Sequence, residues 1–118
     1  MAKASKAGLD VKVRLMWRDE RAMGPGKADL LERIVQLGSI SAAAKAMNMS
    51  YSRAWALVDA MNRSFKHPIV EAATGGKRGG GAQVTETGLH ILAHYRAMQR
   101  AVAAEADAYL QEFKSYLK

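Results

Sequence analysis

The chain has 118 residues, with 18 Lys and Arg against 11 Asp and Glu, a net charge of +7 and no cysteine. This length suits about one domain with its own hydrophobic core, and the lack of cysteine excludes disulfides and thiolate metal sites and fits a reducing compartment. The longest unbroken hydrophobic run, Ala54 to Val58, is too short for a membrane span, and MAKASKAGLD has no apolar stretch behind its lysines, so no signal peptide is read and a cytoplasmic location with no membrane partner is expected.

Residues 1–8 are small, polar and basic, and read as a disordered tail. Leu9, Val11, Val13, Leu15 and Trp17 alternate with polar or charged neighbours and with Met16, which predicts a strand over 9–17 with one buried face. Met23-Gly24-Pro25-Gly26 marks a turn. From Lys27, the spacing of Leu30, Leu31, Ile34 and Leu37 predicts a helix that ends at Gly38.

Residues 39–65, SISAAAKAMNMSYSRAWALVDAMNRSF, hold two helices. Ser41 is expected to cap the first, Asn48-Met49 to turn, and Ser50 to cap the second, with Pro68 as a stop. The alanines of the first helix permit close packing on the second. This is a helix-turn-helix pattern, although an ordinary helical hairpin has the same outline.

At about 100° per residue, Ala54, Val58, Met61 and Phe65 share one narrow arc of the second helix, with Tyr51 and Leu57 at its edges. Opposite lie Ser52, Ala56, Asp59, Ala60 and Arg63, small or polar side chains suited to a DNA groove. Ala56 can meet a thymine methyl, Ser52 can bond base edges, and Arg53 can reach a guanine or a phosphate. Ser50 and the first-turn N–H groups can hold a phosphate. Tyr51 can offer its hydroxyl to one, whereas Trp55 reads mainly as packing. Lys45 and Arg63 complete the basic candidates.

Ile69-Val70 begins a second strand and Ala82-Gln83-Val84 can return as a third. Between them TGGKRGGGAQVT carries five of the ten glycines around Lys77 and Arg78. It lacks the Ser or Thr of a G-x-x-x-x-G-K-[S/T] loop, and no G-x-G-x-x-G opens a helix. A hairpin with a basic tip fits better: a wing for DNA phosphates or a minor groove, or else a solvated tip.

Thr85 or Thr87 caps the last element. Ile91, Tyr95, Met98, Val102, Ala106, Tyr109, Phe113 and Tyr116 recur by threes and fours, which predicts one amphipathic helix of about 45 Å. Such a helix overhangs a domain of this size and needs a partner. His90 and His94 share a face but have no third ligand, so no metal site is expected. No catalytic set is recognised either.

The charge is uneven. Residues 1–66 hold twelve basic and six acidic side chains, whereas 85–118 hold four of each. A basic domain points to nucleic acid or to an anionic surface.

GSISAAAKAMNMSYSRAW, the following MN, TGGKRGGGAQVTETG and the tyrosine-bearing helix together resemble the N-terminal domain of ModE-type molybdate-responsive regulators, and more distantly the LysR-type DNA-binding domain. The resemblance covers residues 9–98. It implies a mainly α fold with a small β component: a winged helix-turn-helix over 9–84 and a long C-terminal dimerisation helix over 85–118. It implies a sequence-specific regulator of transcription, acting on molybdenum-related genes, with double-stranded DNA and a second copy as partners and no enzymatic activity. It implies DNA contacts at Ser50, Tyr51, Ser52, Arg53, Ala56, Lys77 and Arg78. It implies a dimer held by the N-terminal strand region and the long helix, whose stripe offers Ile91, Tyr95, Met98, Val102, Tyr109 and Phe113. Nothing like the family's β-rich molybdate domain follows that helix, so no cofactor is expected in this chain. A different reading keeps the winged fold as a scaffold and uses the long helix to dock another protein. A nucleotide- or oxyanion-binding enzyme is a third, opposed by the failed loop motifs.

Overall fold

The computed structural model describes residues 6–73 and 81–118. The elements run β1 (Leu15–Trp17), β2 (Glu20–Met23), α1 (Pro25–Leu37), α2 (Ile40–Ala46), α3 (Tyr51–Ser64), β3 (Val70–Ala73), β4 (Gly81–Val84) and α4 (Glu86–Lys114). Two antiparallel hairpins, β1–β2 and β3–β4, flank the helices. The fold is the expected winged helix-turn-helix with a long last helix. No helix of the described residues is long and apolar enough to cross a membrane.

The N-terminal region departs from expectation. The strand is confined to Leu15–Trp17, all three exposed, and it pairs with an unforeseen strand, Glu20–Met23. Arg18 and Asp19 connect them with φ of 51° and 62°. Two consecutive left-handed residues give the turn whose twist suits a two-residue hairpin. The Arg18 guanidinium lies 5.1 Å from the Trp17 ring centroid. Residues 9–14 pair with no strand among the described residues, so alternation there buries no face. Residues 1–5 of the expected tail lie outside the described residues.

α1 opens with Pro25 at its first position and closes at Gly38, whose φ of 74° is a left-handed cap. Leu30, Leu31 and Ile34 fill the core with Met23, Met61 and Ile69. Ser39, not Ser41, caps α2: its hydroxyl accepts from Ala42 N–H at 2.9 Å. The cap must sit three residues before the amide it satisfies, which leaves Ser41 inside the first turn. Asn48 makes the turn with φ of 55°, a conformation Asn tolerates. Ser50 caps α3 through Arg53 N–H at 3.1 Å. Ala43, Ala44 and Ala54 are fully or almost fully buried between the helices.

The β3–β4 hairpin is fixed at its base from three sides. Asn62 Oδ1 accepts from Ile69 N–H (2.7 Å) and Val70 N–H (3.2 Å), and its Nδ2 donates to the Val70 carbonyl (3.1 Å). Ala82 N–H donates to the Gly38 carbonyl at 2.9 Å. Thr85 caps α4, accepting from Gly88 N–H at 2.9 Å and donating its hydroxyl to the Pro68 carbonyl at 2.6 Å.

α4 is bound to the domain by its first half. Arg96 meets Asp29 and Glu32 of α1, each at 2.7 Å. Tyr95 is buried in the core, and Ile91 and Met98 pack against it. The expected interface stripe is thereby divided. Ile91, Tyr95 and Met98 cover the chain's own core, because α4 packs on α1 and β4. Val102 is half-buried, and only the far end, with Tyr109 (67% exposed) and Phe113 (58%), stands open.

Candidate nucleic-acid interface

The first two turns of α3 form the exposed part of the helix-turn-helix. Ser50, Tyr51, Ser52, Arg53, Trp55 and Ala56 are all exposed there, beside Lys45 on α2. The packing of α2 explains why. Its buried alanines meet Ala54 on the far side of α3, so the residues around Ser52 and Ala56 are pushed outward. Ser50 Oγ lies 3.2 Å from Ser52 Oγ. Together with the first-turn N–H groups, the two hydroxyls make a polar, anion-favouring helix start. Neither Arg53 nor Lys45 has an ion-pair partner among the described residues.

At the far end of α3 one expectation is corrected, and Arg63 is found engaged within the chain. Ala60 is buried, because β2 packs along this part of the helix. Arg63 is held by Asp59 at 3.0 Å and Glu20 at 3.1 Å. Two carboxylates hold the guanidinium in a structural pair, and the side chain sits two turns beyond Ala56. These hydrogen bonds and charges raise its pKa further above the ordinary arginine value.

Trp55 is half exposed rather than packed, and with Tyr51 it lines an open cleft of ≈360 Å³ between α3 and the β3–β4 hairpin. Glu71, Ala72 and Gly81 form the hairpin side. An aromatic pair beside a groove-reading helix can pack on deoxyriboses or thymine methyls. The register of the hairpin is Val70↔Val84 through Ala73↔Gly81. Lys77 and Arg78 belong to the segment that joins its strands and lie outside the described residues. His90 and His94 stack with ring centroids 6.4 Å apart.

Asn62 and the Arg96 network were missed as positioning residues. Asn62 is sequence-silent, since a polar residue late in a helix ordinarily faces water. Arg96 had one usable signal: Asp29 and Glu32 lie on one face of α1, three residues apart.

Comparison with known proteins places this geometry. Residues 27–89 match the family described as bacterial regulatory helix-turn-helix protein, lysR family. The chain is 47% identical over 81 residues to the molybdenum-pterin-binding protein MopB of Rhodobacter capsulatus, covering 69% of this chain and 30% of MopB. It is 44% identical over 71 residues to the DNA-binding transcriptional dual regulator ModE of Escherichia coli K12, covering 60% of this chain and 27% of ModE. Among solved structures, the full-length LysG regulator of Corynebacterium glutamicum with bound effector Arg superposes with a TM-score of 0.54 at 25% identity, over 80% of this chain and 30% of LysG. ArgP of Mycobacterium tuberculosis shares the fold, with a TM-score of 0.50 at 21% identity over 74% of this chain and 30% of ArgP. The chain thus spans about 30% of the length of the relatives it matches.

Proposed function

This chain belongs to the lysR family of bacterial regulatory helix-turn-helix proteins, and from that premise we propose that it is a sequence-specific, DNA-binding regulator of transcription acting on molybdenum-related genes. The observation that carries the reading is the exposed start of α3. Ser50, Ser52, Arg53 and Ala56 present small, polar and cationic groups on the side of the helix turned away from the core. The named activities of ModE relatives support the choice of genes.

α3 enters the major groove, where Arg53 and Ser52 read base edges and Ala56 permits close approach. Ser50 and Lys45 hold phosphates, and Lys77 and Arg78 of the β3–β4 connection hold others. The protein acts as a homodimer. Supporting this are apolar side chains exposed at two places, Leu15, Met16 and Trp17 on β1, and Tyr109, Phe113 and Tyr116 at the end of α4. A dimer places two α3 helices in successive grooves, about 34 Å apart.

The test is duplex binding across a salt series, with Arg53→Ala and with Lys77→Ala/Arg78→Ala. Arg53→Ala relaxes preference at the positions Arg53 reads. The double substitution weakens all sequences about equally and flattens the salt slope. Loss confined to one sequence in the double variant contradicts the phosphate role. The same exposed α4 end also favours a second reading, docking of an unlike protein. A chain that stays monomeric alone would support it.

A further inference from the structure

Three flanks of α3 can be placed by angle, at about 100° per residue. Tyr51 and Trp55 face the hairpin cleft. Ser52 and Ala56 follow, on the side away from the core. Beyond them, Arg53 and Leu57 face a different cleft, of ≈330 Å³. The Ser52–Ala56 stripe therefore runs between the two.

This other cleft lies between residues 12–14, β2, the start of α1 and α3. Its charged lining is wholly cationic: Lys12, Arg14, Arg21, Lys27 and Arg53. Lys12 lies 3.8 Å from Asp10. Arg14, Arg21 and Arg53 have no ion-pair partner among the described residues, and Glu20, the nearby carboxylate, is engaged by Arg63. Lys27 is only 9% exposed and donates to the Arg21 carbonyl. Burial pulls its pKa below the ordinary lysine value; Glu20 works against this, while Arg21 and Arg63 add to it. The N-terminus of α1 adds the same sign. Gly24 provides no side-chain cap, and the first turn has no acidic residue. A side chain at Gly24 would meet Arg14, whose Cγ lies 3.5 Å from the place of a Cβ.

Convergent cations without counter-charge repel one another unless an anion enters. We propose that this cleft is a backbone anchor, taking one DNA phosphate on the side of α3 opposite the hairpin, held by Arg14 and Arg21. The proposal rests on the DNA-binding reading, because Arg53 and Met49 join the cleft to the exposed end of the helix-turn-helix. With the hairpin, it brackets the reading stripe between two strands of phosphate contacts.

The test uses the full chain, duplex DNA and fluorescence anisotropy over a salt series. Arg14→Gln/Arg21→Gln should weaken every sequence by a similar factor, roughly tenfold, and lower the log–log salt slope by about 1. Arg14→Gln alone, checked for an unchanged melting curve, should give part of the same change. A duplex carrying neutral methylphosphonates along the flank should bind the wild type more weakly at one position, with no added loss in the double variant. Unchanged affinity and slope in a folded variant overturn the proposal while leaving the DNA reading intact. Failure of the wild type to bind any duplex overturns both. Inorganic phosphate is the remaining probe. If it saturates the wild type but not the variant, and DNA binding does not respond, the cleft takes free oxyanions and the backbone role is wrong.

Discussion

Tyr95 of α4 donates its hydroxyl to the carbonyl of Val13, 2.6 Å away and 82 positions earlier in the chain. The bond fixes the segment before β1 to the longest helix, one residue before Arg14 enters the cationic cleft. Tyr95→Phe keeps the buried ring and removes the bond, so unfolding in urea should become easier by about 1 kcal/mol.

The same residue sets a pH dependence. Burial raises the Tyr95 pKa above the ordinary 10.0, against the opposing pull of Arg96 and Arg14. The folded chain therefore keeps this proton at pH values where the unfolded chain has lost it. The stabilisation is complete below the ordinary value and is lost as pH rises through the folded one. Lys27, with its lowered pKa, acts in the opposite sense but is common to wild type and variant. The difference between the urea midpoints of wild type and Tyr95→Phe should shrink through this alkaline range. A constant difference contradicts the assignment.

Asn62 ties α3 to the root of the hairpin through three hydrogen bonds. Asn62→Ala leaves two strand amides and a carbonyl without that partner, a loss of about 1–3 kcal/mol. Amide exchange at Ile69 and Val70 should speed up, and affinity should fall for all duplexes alike. Asn62→Asp retains acceptors for the amides but no donor, and should fall between the two.

Gly88→Ala sets two effects against each other. Alanine gains about 1 kcal/mol in helix propensity. Its Cβ, however, would overlap the Ile69 carbonyl oxygen and lie 2.7 Å from Val84 Cγ1. That carbonyl is held by Thr85 N–H at 2.9 Å and cannot easily yield. Overpacking costs about 1–3 kcal/mol, so the net expectation is a lower Tm, read by thermal circular dichroism. A rise in Tm would show that the helix start can shift.

Tyr109→Asp/Phe113→Asp tests the open end of α4. Neither side chain belongs to the chain's own core, so helicity should be kept. Sedimentation should shift from dimer towards monomer. A wild type that is monomeric at every concentration contradicts the dimer.

The helix-turn-helix was legible because its signals are local. Gly38, Asn48 and Ser50 each act on backbone within a few residues of themselves, and alanine spacing reports close packing directly. β2 was not legible, since ERAM has no alternation and its turn contains no glycine. Ala60 and Tyr95 were placed on the wrong surface, and the partners of Arg63 went unseen, for a different reason. Helical angle gives a face but not the neighbour that covers it, and here the neighbours are β2, Glu20 and the chain's own core. The stripe on α4 likewise gives one continuous signal to two surfaces, one internal and one open.

The most direct test of the central claim is selection of bound duplexes from a random DNA pool, run in parallel on the wild type and Arg53→Ala. The account predicts that the wild type enriches a two-fold symmetric sequence with half-sites about one helical turn apart. It predicts that Arg53→Ala loses preference at defined positions in each half. A pool with no enriched sequence, or an identical sequence from both proteins, would contradict it.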